Sequence, residues 1–220
     1  MSSKLILVRY VFIFTFWILS ISISAQQIAT LKYQGGGDWY ANPTALPNLI
    51  KFSNQYCKTS IQNEPQTVAV NDNAIFNYPI VFMTGHGNVF FSDEDIEALR
   101  NYLISGGFLH ISDNYGMDKY VRKELKKLFP SKELQEIPIT HPIYNQTFSF
   151  PKGLPKIHEH DKEPPKGLGI FYNNRLIIFY DHESDLSDGW EDASVHNNPQ
   201  KIREKALKMG ANIIEYAFKH

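Results

Sequence analysis

The stretch from Tyr78 to Gly116, YPIVFMTGHGNVFFSDEDIEALRNYLISGGFLHISDNYG, constrains the fold more than any other part of the chain. Pro79 to Met83 is a short apolar run of the kind a buried strand needs. Thr84-Gly85-His86-Gly87 breaks that run with residues that tolerate unusual backbone angles. Ser92, with Asp95 three residues on, reads as a helix N-cap and capping box. Ile96, Leu99, Leu103 and Ile104 follow at helical spacing, and Gly106-Gly107 closes the helix. Phe108 to Ile111 is a second strand, and Ser112-Asp113-Asn114-Tyr115-Gly116 is the loop after it. Strand, helix and strand make a β-α-β unit, whose crossover leaves the two strands parallel. The loops that carry His86 and Asp113 therefore emerge at the same edge of the sheet. Ligands of open α/β sheets bind beyond the carboxyl ends of the strands, so this rim is the expected site.

The flanking chain extends the same architecture. Ile28 to Tyr33 reads as a first strand, followed by Gly35-Gly36-Gly37-Asp38-Trp39-Tyr40. Three glycines after a strand mark a sharp turn or a close backbone approach. They lack the Lys-Ser/Thr ending of a phosphate loop and the spacing of a dinucleotide fingerprint, which argues against a nucleotide. Trp39 and Tyr40 can stack on a flat ligand or cap the core. Thr44 can cap a helix from Leu46 to Lys58, and Gln66 to Val70 is a short strand. Beyond the central unit come a Lys-rich amphipathic helix (Met117 to Phe129) and a short strand (Leu134 to Ile137). A loop from Phe148 to Gly167 leads to a β-hairpin, Gly169–Tyr172 and Arg175–Tyr180, turning at Asn173-Asn174. Asp181 to Asn198 reads as a second long polar loop, and Pro199 opens a last helix to about Phe218, with Gly210 placed for close packing against the sheet. The expected fold is a three-layer, doubly wound, mostly parallel α/β sheet, with a hairpin and long loops in its C-terminal half.

At 220 residues the chain fits a signal peptide (1–25) and one domain (26–220). Lys4 and Arg9 precede an apolar run, Val11 to Ile23, too short to span a bilayer comfortably. Small residues Ser22, Ser24 and Ala25 then supply a cleavage site, and no cysteine stands near it for a lipid anchor. A periplasmic or secreted location is expected, with no membrane insertion after cleavage. Without Lys4 and Arg9 the chain has 20 basic and 23 acidic residues, too even a balance for a nucleic-acid surface. Cys57, alone of its kind, excludes an intrachain disulfide and a cysteine zinc cluster, and reads as a buried thiol.

Histidine is the chemical feature of the sequence. His158 and His160 form an H-x-H pair, and residues two apart in extended chain face one way, which suits two ligands on a divalent metal such as zinc. Asp161, Asp181, His182, Asp185 and His196 are further donors; structural hydrogen-bonding histidines are the alternative. His86 with Asp113 can act as an oriented acid-base pair. Ser112 has no nucleophile elbow around it, and Glu159 and Asp161 read as solvated loop acids.

The segments YQGGGDWY, PTALPNLI, MTGHGNVFFSDEDIEALRNYLISGGFLHISDNYGMD, ITHPIY, GLPKIHEHD, SDLSDGWED and VHNNPQKIREKALKMGANII resemble the bacterial family named domain of unknown function forty-one fifty-nine, over about Ile28 to Phe218. The resemblance implies a flavodoxin-like, class I glutamine amidotransferase-like fold. It implies no amidotransferase activity, because Cys57 falls in a helix and the strand-end position holds Ser112-Asp113-Asn114. The family pattern has a paired Asp-Asp where Ser112-Asp113 stands, so one carboxylate remains there. Matching motif residues are Gly36, Gly37, Asp38, Trp39, His86, Asp113, Asn114, Tyr115, His141, His158, His160, Asp185, Trp190 and His196. Two functions follow as expectations. One is binding of a small polar or carbohydrate ligand, or of a protein partner, with Trp39, Tyr40, Tyr115 and Trp190 as platforms. The other is hydrolysis, with or without a metal, by His86, Asp113 and the His158/His160 pair.

Overall fold

All six residues of the strand Ile80–Gly85 (β3) are buried, as they must be in a parallel sheet covered on both faces. The computed structural model describes residues 26–220, so the expected signal segment lies outside the described residues. Within them β3 is an interior strand, third in a seven-stranded sheet. Its companions are Ile28–Lys32 (β1), Gln66–Ala69 (β2), Phe108–Asp113 (β4), Gln135–Glu136 (β5), Lys166–Tyr172 (β6) and Arg175–His182 (β7). Their order is β2-β1-β3-β4-β7-β6-β5. The pairs from β2 through β7 are parallel, and β6 and β5 add an antiparallel edge.

Among the described residues five helices complete the layers: Ala45–Tyr56 (α1), Asp93–Ile104 (α2), Asp118–Leu128 (α3), the single turn Ala193–His196 (α4), and Gln200–Lys219 (α5). One apolar core joins Leu31, Val81, Met83 and Ile111 to Leu99 and Leu103 of α2 and Val121 and Leu125 of α3. The other joins Ile80, Phe82 and Phe108 to Leu49 and Ile50 of α1 and Met209 and Ile213 of α5. This is the three-layer, mostly parallel α/β arrangement of the flavodoxin-like class.

Local signals hold where they were strongest. Ser92 accepts from the Asp95 backbone N–H while the Asp95 side chain accepts from the Ser92 N–H, closing the capping box of α2. Asn173 and Asn174 both have positive φ, 47° and 63°, as the two-residue hairpin turn between β6 and β7 requires. Gly210 does pack closely, but against α1 and Trp190 rather than the sheet: a Cβ there would stand 2.6 Å from Leu49 Cδ1 and 2.7 Å from Trp190 Cζ2. Strands run a little longer than the apolar runs that mark them: β3 reaches Gly85 and β4 reaches Asp113.

Two further expectations need correction. The polar segment from Asp181 to Asn198 is solvated only in its second half: Asp192 to Asn197 is exposed, but Ser184 to Glu191 is buried without interruption, around the 3-10 turn Leu186–Gly189. Thr44 does not cap α1 through its own side chain. The cap comes from Glu191, which is 1% exposed. Its Oε1 accepts from the backbone N–H groups of Thr44 (3.0 Å) and Ala45 (3.1 Å), and its Oε2 from Thr44 Oγ1 (2.7 Å). A helix start needs acceptors for its free N–H groups, and a carboxylate also complements the positive end of the helix dipole. Replacing Glu191 by Ala leaves these donors buried without partners. It should cost about 3 kcal/mol, and Glu191→Gln distinctly less, because one acceptor remains. Thermal unfolding reads the cost, and faster hydrogen exchange at Thr44 and Ala45 locates it.

Candidate functional site

The loops leaving β1, β3, β4 and β7 converge at the carboxyl edge. The chain goes from β1 outward to β2 and returns to β3 on the other side, so the strand order reverses between β1 and β3. A crevice forms at such a reversal. Here β3 must end in glycine: Gly85 has φ +139°, and a Cβ on it would lie 2.3 Å from Tyr33 Oη and 2.9 Å from Asp38 O. The bare backbone lets the Asp38 loop close on His86.

The carboxylate that meets His86 is Asp38, not Asp113. Asp38 Oδ1 accepts from the His86 backbone N–H, and Oδ2 lies 2.9 Å from His86 Nδ1. Burial would raise the Asp38 carboxyl, but these bonds outweigh it and hold Asp38 below its ordinary value. An ionised carboxylate on Nδ1 fixes the proton there and leaves Nε2 as the lone-pair nitrogen. The ring is more than half exposed, so Nε2 can reach a ligand. Asp113 shares a face of β4 with Ile111, whose register partner in β7 is Tyr180, and its carboxylate is taken up there. There it accepts from Tyr180 Oη (2.8 Å) and the Met117 N–H (3.3 Å), ordering the turn into α3. Burial, the largest cause, raises its carboxyl.

Next to the dyad lies a buried amide network. Asn114 Oδ1 accepts from Ser187 Oγ (2.9 Å) and Asn42 Nδ2 (3.2 Å). Asn42 Nδ2 also donates to Asp188 Oδ1 (2.7 Å), tying the β1 loop to the β7 loop. Asn114 Nδ2 is buried without a partner. Beyond it stand the histidines. His158 Nδ1 is 2.8 Å from Asp188 Oδ2, and His196 Nε2 is 3.8 Å from Asp188 Oδ1. The bond to Asp188 is the first cause raising His158, and burial opposes it. His160 pairs instead with Asp185 (2.6 Å) and stacks under Tyr115 at a ring separation of 4.5 Å. Asp185 is pushed up to about 6, by burial first and then by the Asp188 charge.

Most of the residues expected at the site do gather on this rim: Gly36, Gly37, Asp38, Trp39, Tyr40, His86, Asn114, Tyr115, His158, His160, Asp185 and His196. Trp190 does not offer a platform. It is fully buried, donates from Nε1 to Ala206 O and packs on Phe82 and His110. His141 lies at the opposite edge, against Phe171 beside the amino end of β7, where it caps the turn Pro142–Tyr144. Asn42, Ser187 and Asp188 are the members the sequence reading missed. Asp188 follows Asp185 by one helical turn, the single local hint.

Below the network Ser112 Oγ donates to Asp181 Oδ1 (3.1 Å), and Asp181 Oδ2 lies 2.7 Å from His110 Nε2. Both members of this pair are buried. Burial drives His110 down to about 3 and Asp181 well above its ordinary value, so the folded pair holds one proton between them. Unfolded, with ordinary values of 3.8 and 6.5, the two groups also carry one proton between those pH values. The pair therefore adds no pH dependence in that window. Above it the folded pair keeps a proton that the unfolded chain has lost. Its contribution to stability then falls as pH rises, by about 1.4 kcal/mol per unit, until the raised Asp181 titrates. Asp181→Asn removes the shared proton and leaves a neutral buried His110, whose folded value is depressed. Its stability should then fall as pH drops below 6.5, by about 2 kcal/mol at about pH 5 relative to wild type. Denaturant unfolding of both proteins across that range reads the difference.

The family model described as Domain of unknown function (DUF4159) matches residues 27–218. No curated protein matches the chain.

Proposed function

The chain belongs to the DUF4159 family, and from that footing we propose that its carboxyl rim binds a small polar, sugar-like ligand. The observation that carries this reading is a groove of about 300 Å³ that starts at the Trp39–Asn42 loop on the rim and runs down between α1 and the β1–β2 face to Glu64, just before β2. Trp39 and Tyr40 line it together with Thr30, Thr67, Asn42 and Glu64. Aromatic faces with convergent hydroxyl, amide and carboxylate groups suit a ligand that is apolar on its ring faces and polar at its edges. Tyr40 is 66% exposed, so its ring is available without unpacking the core.

The Asp38–His86 dyad favours a second reading, hydrolysis of the bound ligand. His86 Nε2, freed by the Asp38 bond on Nδ1, would take a proton from an attacking water. Amidotransferase chemistry is not part of either reading. Cys57 follows α1 at the end away from the rim, and its thiol is pushed up to about 11, by burial first and then by the Glu215 charge. The thiolate that such chemistry needs is scarce there. Export fits the same picture, supported by the basic start, apolar run and small residues before Gln26.

Calorimetric titration with a panel of mono- and disaccharides tests the proposal. A saccharide should bind wild type, and Tyr40→Ala or Trp39→Ala should weaken it about tenfold, the scale of one lost aromatic contact. His86→Gln should leave that affinity within about twofold and, if the rim is hydrolytic, abolish product release. A folded wild-type protein that binds no member of the panel overturns the sugar reading.

A further inference from the structure

We infer that His158, Asp188 and His196 hold a divalent transition-metal ion such as zinc, with one coordination position facing solvent. One ring nitrogen from each of His158 and His196 and a carboxylate oxygen of Asp188 all lie within 4.8 Å of one another. Two donor atoms on one tetrahedral zinc, each at about 2.0–2.1 Å, stand about 3.4 Å apart. The separations here, 2.8 Å from His158 Nδ1 to Asp188 Oδ2 and 3.8 Å from His196 Nε2 to Asp188 Oδ1, lie either side of that value, one to each oxygen of the carboxylate. Two imidazoles and a carboxylate, with a fourth position open, is the donor set of an open zinc site.

The surroundings fit ligation as well as the donors do. A metal-bound histidine donates its other ring N–H to a neighbouring acceptor, which fixes the tautomer. His158 Nε2 lies 2.9 Å from Asn198 Oδ1, and the Asn198 amide is oriented by donation of its Nδ2 to Asp188 O (3.5 Å). Nε2 is therefore the protonated nitrogen, and Nδ1 faces the Asp188 carboxylate. Only a proton or a cation makes that approach favourable, and a metal ion would replace the proton. Asp188 is braced by Asn42, so the carboxylate keeps its aim. Each donor stands on a separately anchored segment. Ile157 N–H donates to Ser184 O (2.9 Å), Asp188 belongs to the buried 3-10 turn, and His196 ends α4. The three side chains keep 23%, 11% and 29% exposure, enough for a water or ligand to complete the coordination.

This assignment differs from an H-x-H site. His160 is engaged by Asp185 and Tyr115, and its ring lies 6.5 Å from that of His158 at a near-perpendicular angle. It is also independent of the sugar reading, since zinc alone is the probe.

The full chain, purified without a histidine tag and stripped with a chelator, is titrated with zinc and with cobalt as a coloured substitute. Elemental analysis gives the stoichiometry. About one ion per chain is expected. Asp188→Asn and His196→Ala should each weaken binding more than tenfold. Asn198→Ala, which touches no metal, should weaken it about tenfold through the lost orientation of His158. His160→Ala should bind as wild type does. Circular dichroism confirms that each variant is folded, and Asp188→Asn and Asn198→Ala keep the test intact should His196→Ala not fold. No uptake by folded wild type overturns the site. So does binding that survives Asp188→Asn, or that is lost in His160→Ala.

Discussion

The rim depends on the burial of a polar segment. Ser184 to Glu191 carries serines, aspartates and a glutamate into the protein interior. Each buried polar group there must find a partner, because an unpaired one costs about 1–3 kcal/mol. The partners come from distant parts of the chain. Glu191 caps α1, Ser187 holds Asn114, Asp188 takes Asn42 and His158, and the Ser184 carbonyl receives Ile157. One segment thereby fixes three others, 42–45, the loop at Asn114 and 157–158. The buried cap and the amide network thus do two jobs, closing the core under β4 and β7 and spacing the side chains above it.

The dyad at the switch point has a different origin. It needs only the reversal of strand order and a glycine at the end of β3. The reversal parts the β1 and β3 loops enough for a crevice, and Gly85 lets them touch at one place. Asp38 and His86 meet there with both the backbone and the ring engaged. That dyad and the His158 cluster lie on one edge, joined through the Asp38–Asn42 loop. Their chemistry is unlike: the first offers a free ring nitrogen, the second a set of converging donors.

Much of the frame was legible in advance. The capping box at Ser92, the Asn-Asn turn, the close approach at Gly210 and the parallel pairing of β3 and β4 all rest on short-range patterns, and all are present. The site was legible only as a location. Asp113 seemed the partner of His86 because both loops leave the same edge. Its two oxygens are instead engaged by the Tyr180 hydroxyl of the neighbouring strand and by the Met117 N–H, partners that local sequence does not show. Trp190 looked like a platform because it stands in a polar stretch, yet that stretch is buried and the indole with it. Composition marks a loop as polar without saying whether water or the protein satisfies it.

The chain by itself determined which segments become strands and helices, and hence that the loops after β1, β3 and β4 share an edge. Hydrophobic period, caps and turn residues act over a few positions, so they can be read from neighbours in sequence. Only the tertiary structure decided which side chains meet on that edge. Asp38 and His86 are 48 positions apart, and Asn42 and Asp188 are 146. Such pairs form because the crossovers bring loop ends together and because buried donors and acceptors must be matched wherever they arrive. That matching is a property of the packed molecule, with no counterpart in local sequence.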